Sequence, residues 1–435
     1  MVVTGRFVAL LCVGILPVVA VGADPSRSFT VLWLWIAGSV ALLALDVALA
    51  GSPRTVAISR VLPDRVRLGE TATSELLLTN RGRRVVRALV RDAWQPTAGA
   101  PPERSRVTIP PGERRRVAQT LRPFRRGERR SDHVTVRSFG PLRLGARQAT
   151  IGSTGRLRVL PPFNARKHLP SRLARLRELD GATSVMVRGQ GTEFDSLREY
   201  VRGDDVRSID WRATARRSDL VVRTWRPERD RRVVIVVDTA RTSAARIADE
   251  VRLDTAFEAS LLLSALATRA DDRVDFLAFD RRIRGRVAGA TGADLLAKLV
   301  DTMADIEPDL IEMDWDSVPS QVRRITSHHA FVVLLTSIET PGSSRGLLSV
   351  LPQLTRNHTV AVVSVTDPAV LGARTDRGDR EAVYRAAAAE RAVLDAARVA
   401  GAVRRLGADV VSGSPSELPP ALSDHYLALK AAGRL

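Results

Sequence analysis

Residues Arg232 to Asp238 read Arg-Val-Val-Ile-Val-Val-Asp, five branched apolar residues in a row closed by an acid. A strand that is apolar on both faces needs cover on both faces, so this run forces a layered arrangement on the chain around it. The rest of the carboxy-terminal half supplies the layers. Helical spacing over Ala248 to Arg269, Ala293 to Asp305, Val318 to Thr326, Leu347 to Leu354, Glu381 to Leu406 and Ala421 to Leu429 alternates with strand-like Arg273 to Phe279, Ala330 to Leu335, Val360 to Val365 and Ala408 to Val411. Ile283 to Val287 reads as an edge strand. The alternation predicts a doubly wound, mostly parallel sheet over residues 232–435. Ligands of such sheets lie at the carboxyl ends of the strands, which places Asp238 to Ser243, Thr291 and Thr336 to Glu339 on one expected rim.

The amino-terminal end obeys a different rule. Phe7 to Val21 is apolar apart from Gly14 and Pro17, and Phe29 to Ala50 is a second apolar run whose only charge is Asp46. The spacing predicts two membrane-spanning helices joined by a short loop in residues 1–52. The alternative for the first run is a cleaved signal peptide, given Arg6 before it and Ala20, Gly22 and Ala23 after it. Either way Arg54, Arg60, Arg65 and Arg67 follow the second run at once, so the positive-inside rule puts the bulk of the chain in the cytoplasm. Asp46 is a lone acid, which suits an interfacial or helix-paired residue better than a proton relay. Cys12 is the single cysteine, which excludes an intrachain disulfide or a cysteine metal site.

Residues 53–160 carry short runs separated by turn residues: Val56 to Val61, Thr71 to Leu78, Val85 to Asp92, Arg106 to Ile109, Arg115 to Leu121, His133 to Ser138 and Arg156 to Leu160. Strands at this spacing predict an Ig-like β-sandwich, a module that usually binds or spaces. Residues 161–231 connect it to the α/β domain. Within them Leu173, Leu176 and Leu179 lie at helical spacing with Arg172, Arg175 and Arg177 outside, an amphipathic helix expected to pack on the next domain.

The same connector holds a dense mixture of charge and apolar bulk from Gly189 to Arg217. Glu193, Asp195, Glu199, Asp204, Asp205 and Asp210 interleave with Arg198, Arg202, Arg207, Arg212, Arg216 and Arg217, with Phe194, Leu197, Tyr200, Ile209 and Trp211 between them. Apolar residues of this size stabilise by roughly 1.5 to 3 kcal/mol each when buried, so the stretch is expected to be docked, its acids and arginines paired. The order Gly191-x-Glu193-Phe194, Leu197-Arg198-x-Tyr200, Gly203-Asp204-Asp205-x-Arg207-x-Ile209-Asp210-Trp211, Val222-Arg223 and Glu228 ahead of a strand ending in Asp238 resembles the bacterial family called domain of unknown function 58. The closing Tyr426-Leu427-x-Leu429-Lys430 fits the same resemblance. It implies that Glu193, Asp195, Arg198, Tyr200, Asp204, Asp205, Arg207, Asp210, Trp211 and Arg223 form an interaction motif. It also implies a MoxR-type AAA+ ATPase as partner.

The rim of the α/β domain resembles the metal site of von Willebrand A domains. Asp238 matches, Thr242 offers a hydroxyl, and Thr291 is a third candidate ligand for Mg²⁺. Ala240 replaces a serine of that pattern, and Thr336-Ser337-Ile338 holds no acid where a later aspartate is required. A hard divalent cation needs nearly all of its oxygen ligands, so the site reads as degenerate.

Catalytic patterns are few. No Gly-x-x-x-x-Gly-Lys-Ser/Thr loop and no His-Glu-x-x-His occurs. Gly342-Ser343-Ser344-Arg345-Gly346 fits the nucleophile-elbow formula, with His358, Asp367, Asp424 and His425 downstream, but three residues separate it from the preceding strand. Acids interleaved with arginines favour ionised, paired groups over a general acid, which needs a raised pKa. The expected function is therefore that of a membrane-anchored, non-enzymatic scaffold or adaptor for an AAA+ partner in the assembly of envelope proteins, with other von Willebrand A-like proteins as further partners.

Charge supplies the rival. Residues 1–232 hold 43 bases and 21 acids, a balance of +22, within a chain of +19. That suits an anionic lipid surface or nucleic acid, of which a membrane-tethered chain meets lipid first. A hydrolase built on Ser344 is the remaining alternative.

Overall fold

Every second residue of Ala72–Asn80 is buried, the pattern of a strand with a core on one side and solvent on the other. The computed structural model describes residues 1–21, 25–102, 104–186, 193–202, 204–217, 219–226 and 231–435. They form two units, Met1–Leu160 and Pro161–Leu435.

The first unit joins strands β1 (Val2–Val3), β2 (Val56–Val61), β3 (Arg65–Arg67), β4 (Ala72–Asn80), β5 (Val86–Trp94), β6 (Ser105–Ile109), β7 (Arg114–Leu121), β8 (Gly127–Phe139) and β9 (Gly145–Leu160) to helices α1 (Gly5–Val13), α2 (Ile15–Ala20) and α3 (Pro25–Leu49). One sheet runs β1-β9-β8-β5-β6 with β3 parallel beside β9, and the other runs β2-β4-β7. Leu76, Leu78, Val86, Val90, Ile109, Val134 and Val136 fill the space between them. β8 and β9 are far longer than the segments expected from sequence. Gly152, Gly155 and a register shift between Ser131 and His133 interrupt the alternation that would have announced them.

A buried ion pair crosses this unit. The Arg60 guanidinium meets Asp92 at 2.5 and 2.8 Å, with side-chain exposures of 5% and 3%. Trp94 Nε1 and Ser131 Oγ donate to the same carboxylate, each at 2.8 Å.

The helices depart from the expected pair of spans. Pro17 has no N–H to return to the carbonyl of Val13, and the first apolar run breaks at Gly14 into α1 and α2. A Cβ on Gly14 would lie 2.2 Å from the Trp35 ring, so the glycine admits that indole, whose Nε1 donates to the Leu10 carbonyl at 3.1 Å. Among the described residues one helix is long and apolar enough to cross a membrane. It contains α3, whose 25 residues extend about 37 Å, more than the roughly 30 Å of a bilayer core. Asp46 near its end is 1% exposed. Its carboxylate accepts the backbone N–H groups of Leu142 (2.7 Å), Leu144 (2.8 Å) and Gly145 (3.1 Å), which clasps the β8–β9 turn to the last turns of α3.

In the second unit α4 (Leu169–Met186) precedes a small module of β10 (Glu193–Glu199), α5 (Trp211–Arg217) and β11 (Val221–Arg226). The α/β domain comes next with β12 (Arg232–Asp238), a short pair β13 (Arg246–Ile247) and β14 (Glu250–Val251), α6 (Arg252–Arg269), β15 (Arg273–Phe279), β16 (Ile283–Val287), α7 (Gly292–Ala304) and α8 (Val318–Ile325). It ends with β17 (Phe331–Leu335), α9 (Arg345–Thr355), β18 (Thr359–Val365), α10 (Pro368–Ala373), α11 (Arg380–Arg405), β19 (Asp409–Gly413) and α12 (Leu418–Ala431). The sheet order is β16-β15-β12-β17-β18-β19, parallel except for β16. Val233, Ile235 and Val237 face a core with α6, α7 and α12, while Val234 and Val236 face one with α8, α9 and α11. Leu173, Leu176 and Leu179 of α4 pack into the first of these cores. Glu258 of α6, buried, accepts the Ala165 N–H at 2.6 Å and ties the segment before α4 to the same helix.

Candidate functional site

β12 ends in an acid because the chain there leaves the dry sheet. Asp238 is 3% exposed, and donors from its own loop and from the end of β17 converge on it. Oδ1 accepts the Ala240 N–H at 2.8 Å, and Oδ2 accepts the hydroxyls of Thr336 at 2.7 Å and Thr242 at 3.4 Å. Burial raises the Asp238 carboxyl above its ordinary range, against these hydrogen bonds and the nearby Arg252. Arg252 itself spans from the Thr242 carbonyl to Glu339, each at 2.8 Å. Beside this group Asp280, fully buried, accepts from Thr239 Oγ1 at 3.0 Å and from the N–H groups of Arg281 and Arg282.

Thr291 is not part of the rim. β16 runs antiparallel to β15, with Val287 opposite Phe276, so the chain leaves β16 toward the amino ends of the parallel strands and Thr291 precedes α7 there. The segment that does reach the rim is residues 307–316, where the Asp309 N–H bonds the Thr239 carbonyl, the Arg241 N–H the Ile311 carbonyl and the Asp314 N–H the Asp280 carbonyl. The signal for it was available in the sequence: a chain leaving a reversed edge strand needs one more helix before it returns to the rim.

These donors do not suit a divalent cation. Both Asp238 oxygens already accept hydrogen bonds, Glu339 is engaged by Arg252, and that guanidinium supplies the positive charge locally. Among the described residues no cluster of three or more His, Cys, Asp or Glu could hold a metal. Mg²⁺ or Mn²⁺ is accordingly expected to leave the melting temperature unchanged. A rise that disappears in Asp238→Ala would overturn this assignment.

The charged connector is built on a hairpin. β10 and β11 pair antiparallel, Asp205 caps a short 3-10 turn through the Arg207 N–H at 2.9 Å, and Asp210 caps α5 through the N–H groups of Arg212 and Ala213, both at 3.0 Å. Two ion pairs lock it: Arg198 to Asp204 with both bonds at 2.7 Å, and Arg223 to Asp210 at 2.7 Å. The hydrogen bond from Arg198 lowers the pKa of Asp204, and the Ala213 N–H followed by Arg223 lowers that of Asp210. The Tyr200 N–H bonds the Leu220 carbonyl at 2.8 Å.

The expected burial of its apolar residues is met only in part: Tyr200 and Ile209 are half-buried, Leu197 is 40% exposed, and the side chain of Phe194 lies outside the described residues. Val221 and Val222 are buried, but Trp211 is 66% exposed and Val201 and Val206 are each 62% exposed. Caps and ion pairs hold the backbone without needing those side chains. Arg202, Arg207, Arg212 and Arg216 are also exposed and make no ion pair among the described residues. Glu193 and Asp195 lie on β10, their side chains outside the described residues, as are Gly191, Gly203 and Glu228.

Ser344 is buried at the start of α9, whereas His358 lies beyond its far end, about 16 Å away along the axis, and His425 pairs with Asp409 at the first residue of β19. Asp367 caps α10. Neither histidine therefore stands beside the serine as a base. Sequence reasoning also missed a buried group at the opposite ends of the strands from the rim, where Tyr426 Oη donates to Asp272 and Lys430 Nζ lies 3.5 Å from it. Burial raises the Asp272 carboxyl while Lys430 and Tyr426 oppose the shift. The two partners, four residues apart on α12, give the closing sequence pattern a structural purpose.

The family model described as "Protein of unknown function DUF58" matches residues 196–371, from the connector hairpin into the α/β domain. Uncharacterized proteins of Mycobacterium bovis and Mycobacterium tuberculosis are 25% identical over 192 residues, 44% of this chain and 60% of theirs. The match thus spans less than two thirds of those relatives. Among solved structures, the VWA domain of SpRpn10 is similar at 11% identity over 46% of this chain and 94% of that one, with a TM-score of 0.26. A CARDB domain from Pyrococcus furiosus is similar at 17% identity over 24% of this chain and 86% of its own, with a TM-score of 0.18.

Proposed function

We propose that the chain is a membrane-anchored, non-enzymatic scaffold whose connector hairpin is the docking surface for a partner, with a MoxR-type AAA+ ATPase as the expected partner. The observation that carries this is an exposed tryptophan on a framework fixed by ion pairs: Trp211 at 66% exposure, next to the Asp210–Arg223 pair, with arginines around it that make no ion pair among the described residues. Tryptophan and arginine dominate binding hot spots, and a preformed frame lowers the ordering cost of association.

The anchor in this reading is a hairpin. Val2 and Val3 pair with Ala146 and Gly145, and α3 leads into β2, so both ends of the helical excursion return to the same sheet sandwich. A retained first segment fits that pairing better than a cleaved signal. The arginines after α3 argue for a cytoplasmic location of the sandwich.

Trp211→Ala is expected to reduce capture of an AAA+ ATPase from solubilised membranes by tenfold or more, the scale of a hot-spot residue at about 2 kcal/mol, while leaving the melting temperature nearly unchanged. Equal capture by wild type and variant would remove the hairpin from the interface. The lipid reading is the second, and it rests on a different surface.

A further inference from the structure

α3 leaves its apolar stretch inside a ring of arginines. Arg84 donates to the Ala48 carbonyl, and the Arg81 N–H bonds the Thr55 carbonyl at 3.0 Å, which sets the β4–β5 turn against the chain just after the helix. Asp46 holds the β8–β9 turn on the same last turns, and Thr4 Oγ1 donates to the Arg143 carbonyl at 2.6 Å, so Arg143 and Arg6 stand at the same level. Arg6, Arg54, Arg81, Arg83 and Arg143 are exposed and have no hydrogen-bond or ion-pair partner for their side chains among the described residues.

The acids needed to neutralise them are missing. Across residues 1–7, 46–55, 80–87 and 139–147 the one acid is Asp46, buried and occupied by backbone donors. Glu113, on the turn next to Asn80, is paired with Arg115 at 2.5 Å. Between the arginines Leu142 is 53% and Val85 39% exposed, apolar side chains at the level where the helix would leave a bilayer.

We propose that this collar binds the phosphate groups of anionic phospholipids. It rests on the membrane-anchor reading and adds to it a headgroup preference. Planar guanidinium groups recognise phosphate oxygens in pairs, and basic residues next to a span are drawn to an anionic leaflet. Leu142 and Val85 enter the acyl boundary beside them. The five exposed cations lie on segments held against the end of α3 with no free acid among them, a charge that an anionic leaflet would offset.

The test places the full-length protein in nanodiscs of phosphatidylcholine alone or mixed with phosphatidylglycerol. It reads the lipid that stays bound after detergent extraction and the melting temperature. Wild type is expected to retain phosphatidylglycerol in preference to phosphatidylcholine and to melt higher with it. The triple variant Arg54→Gln/Arg83→Gln/Arg143→Gln should lose that preference by about tenfold or more. Arg91→Gln/Arg122→Gln/Arg156→Gln, an equal charge change elsewhere on the sandwich, should keep it.

A protein that inserts in both bilayers yet shows no lipid preference, or equal losses in the two triple variants, overturns the collar and leaves the anchor standing. Inorganic phosphate producing the same thermal shift as phosphatidylglycerol also overturns it, since the site would then read free anion. Failure to insert in either bilayer removes the anchor itself.

Discussion

Asp92→Ala is expected to destabilise the first unit by about 3–5 kcal/mol, the range for leaving one partner of a buried ion pair uncompensated. The stranded group would be Arg60, whose guanidinium carbon lies 5.2 Å from the centroid of the Trp94 ring and whose remaining bonds go to Ser74 Oγ at 3.0 Å, Ser131 Oγ at 3.2 Å and the Ser153 carbonyl at 3.1 Å. Those neutral partners do not discharge a cation in a site 5% exposed. Arg60 also lies against Gly155, where a Cβ would come within 2.8 Å of its side chain, so the ion cannot swing aside without moving β9. Urea unfolding of the solubilised protein measures the loss. Arg60→Met/Asp92→Leu, which removes both charges, should recover most of it, because apolar replacement of a whole buried pair is often neutral or better. A loss under about 1 kcal/mol in Asp92→Ala alone would mean that water reaches Arg60.

The second large effect belongs to Asp46. Asp46→Ala strands the buried N–H groups of Leu144 and Gly145 and releases the part-buried one of Leu142, and each buried donor left unpaired costs about 1–3 kcal/mol. Gly140 shows how closely the carboxylate is enclosed, since a Cβ there would lie 2.2 Å from Asp46 Oδ1. The expected result is a loss of amide protection at Leu142, Leu144 and Gly145 by more than about tenfold in hydrogen exchange, while amides in the middle of β8 change less. Asp46→Asn should fall between, because its amide keeps one acceptor for three donors. Unchanged exchange at the turn would show that the clasp holds nothing. The same acid reads in the sequence as an interfacial or helix-paired residue, and its partners are nearly a hundred residues away, beyond the reach of any local pattern.

Legibility followed the range over which each residue is constrained. The α/β domain could be read because Val233 to Val237 and Phe331 to Leu335 are apolar on both faces, and both indeed lie between two helical layers. β9 could not, because Gly152 and Gly155 interrupt its alternating side chains midway along the strand. The sequence puts Thr291 at the wrong end of the strands because residue type announces a helix start but not the direction of the strand before it. Trp211 misleads in a more instructive way. Apolar bulk ordinarily signals burial, but Asp210 and Asp204 fix the hairpin through caps and ion pairs, and that frees the tryptophan for the surface. The interleaved charges announced the Arg198–Asp204 pair, but Arg202, Arg207, Arg212 and Arg216 make no ion pair among the described residues and Asp210 pairs with Arg223, outside that run.

The pairing of β1 with β9 also sets an order of events. Val2 and Val3 are synthesised well before Gly145 and Ala146, and the edge they occupy exists only once those residues have been made. In the proposed membrane-anchored reading, the sheet can close only after the apolar stretch between has been inserted and its ends brought back together. A chain with a misrouted segment would keep a bare strand edge open to its neighbours, and so would carry a visible mark of failed insertion.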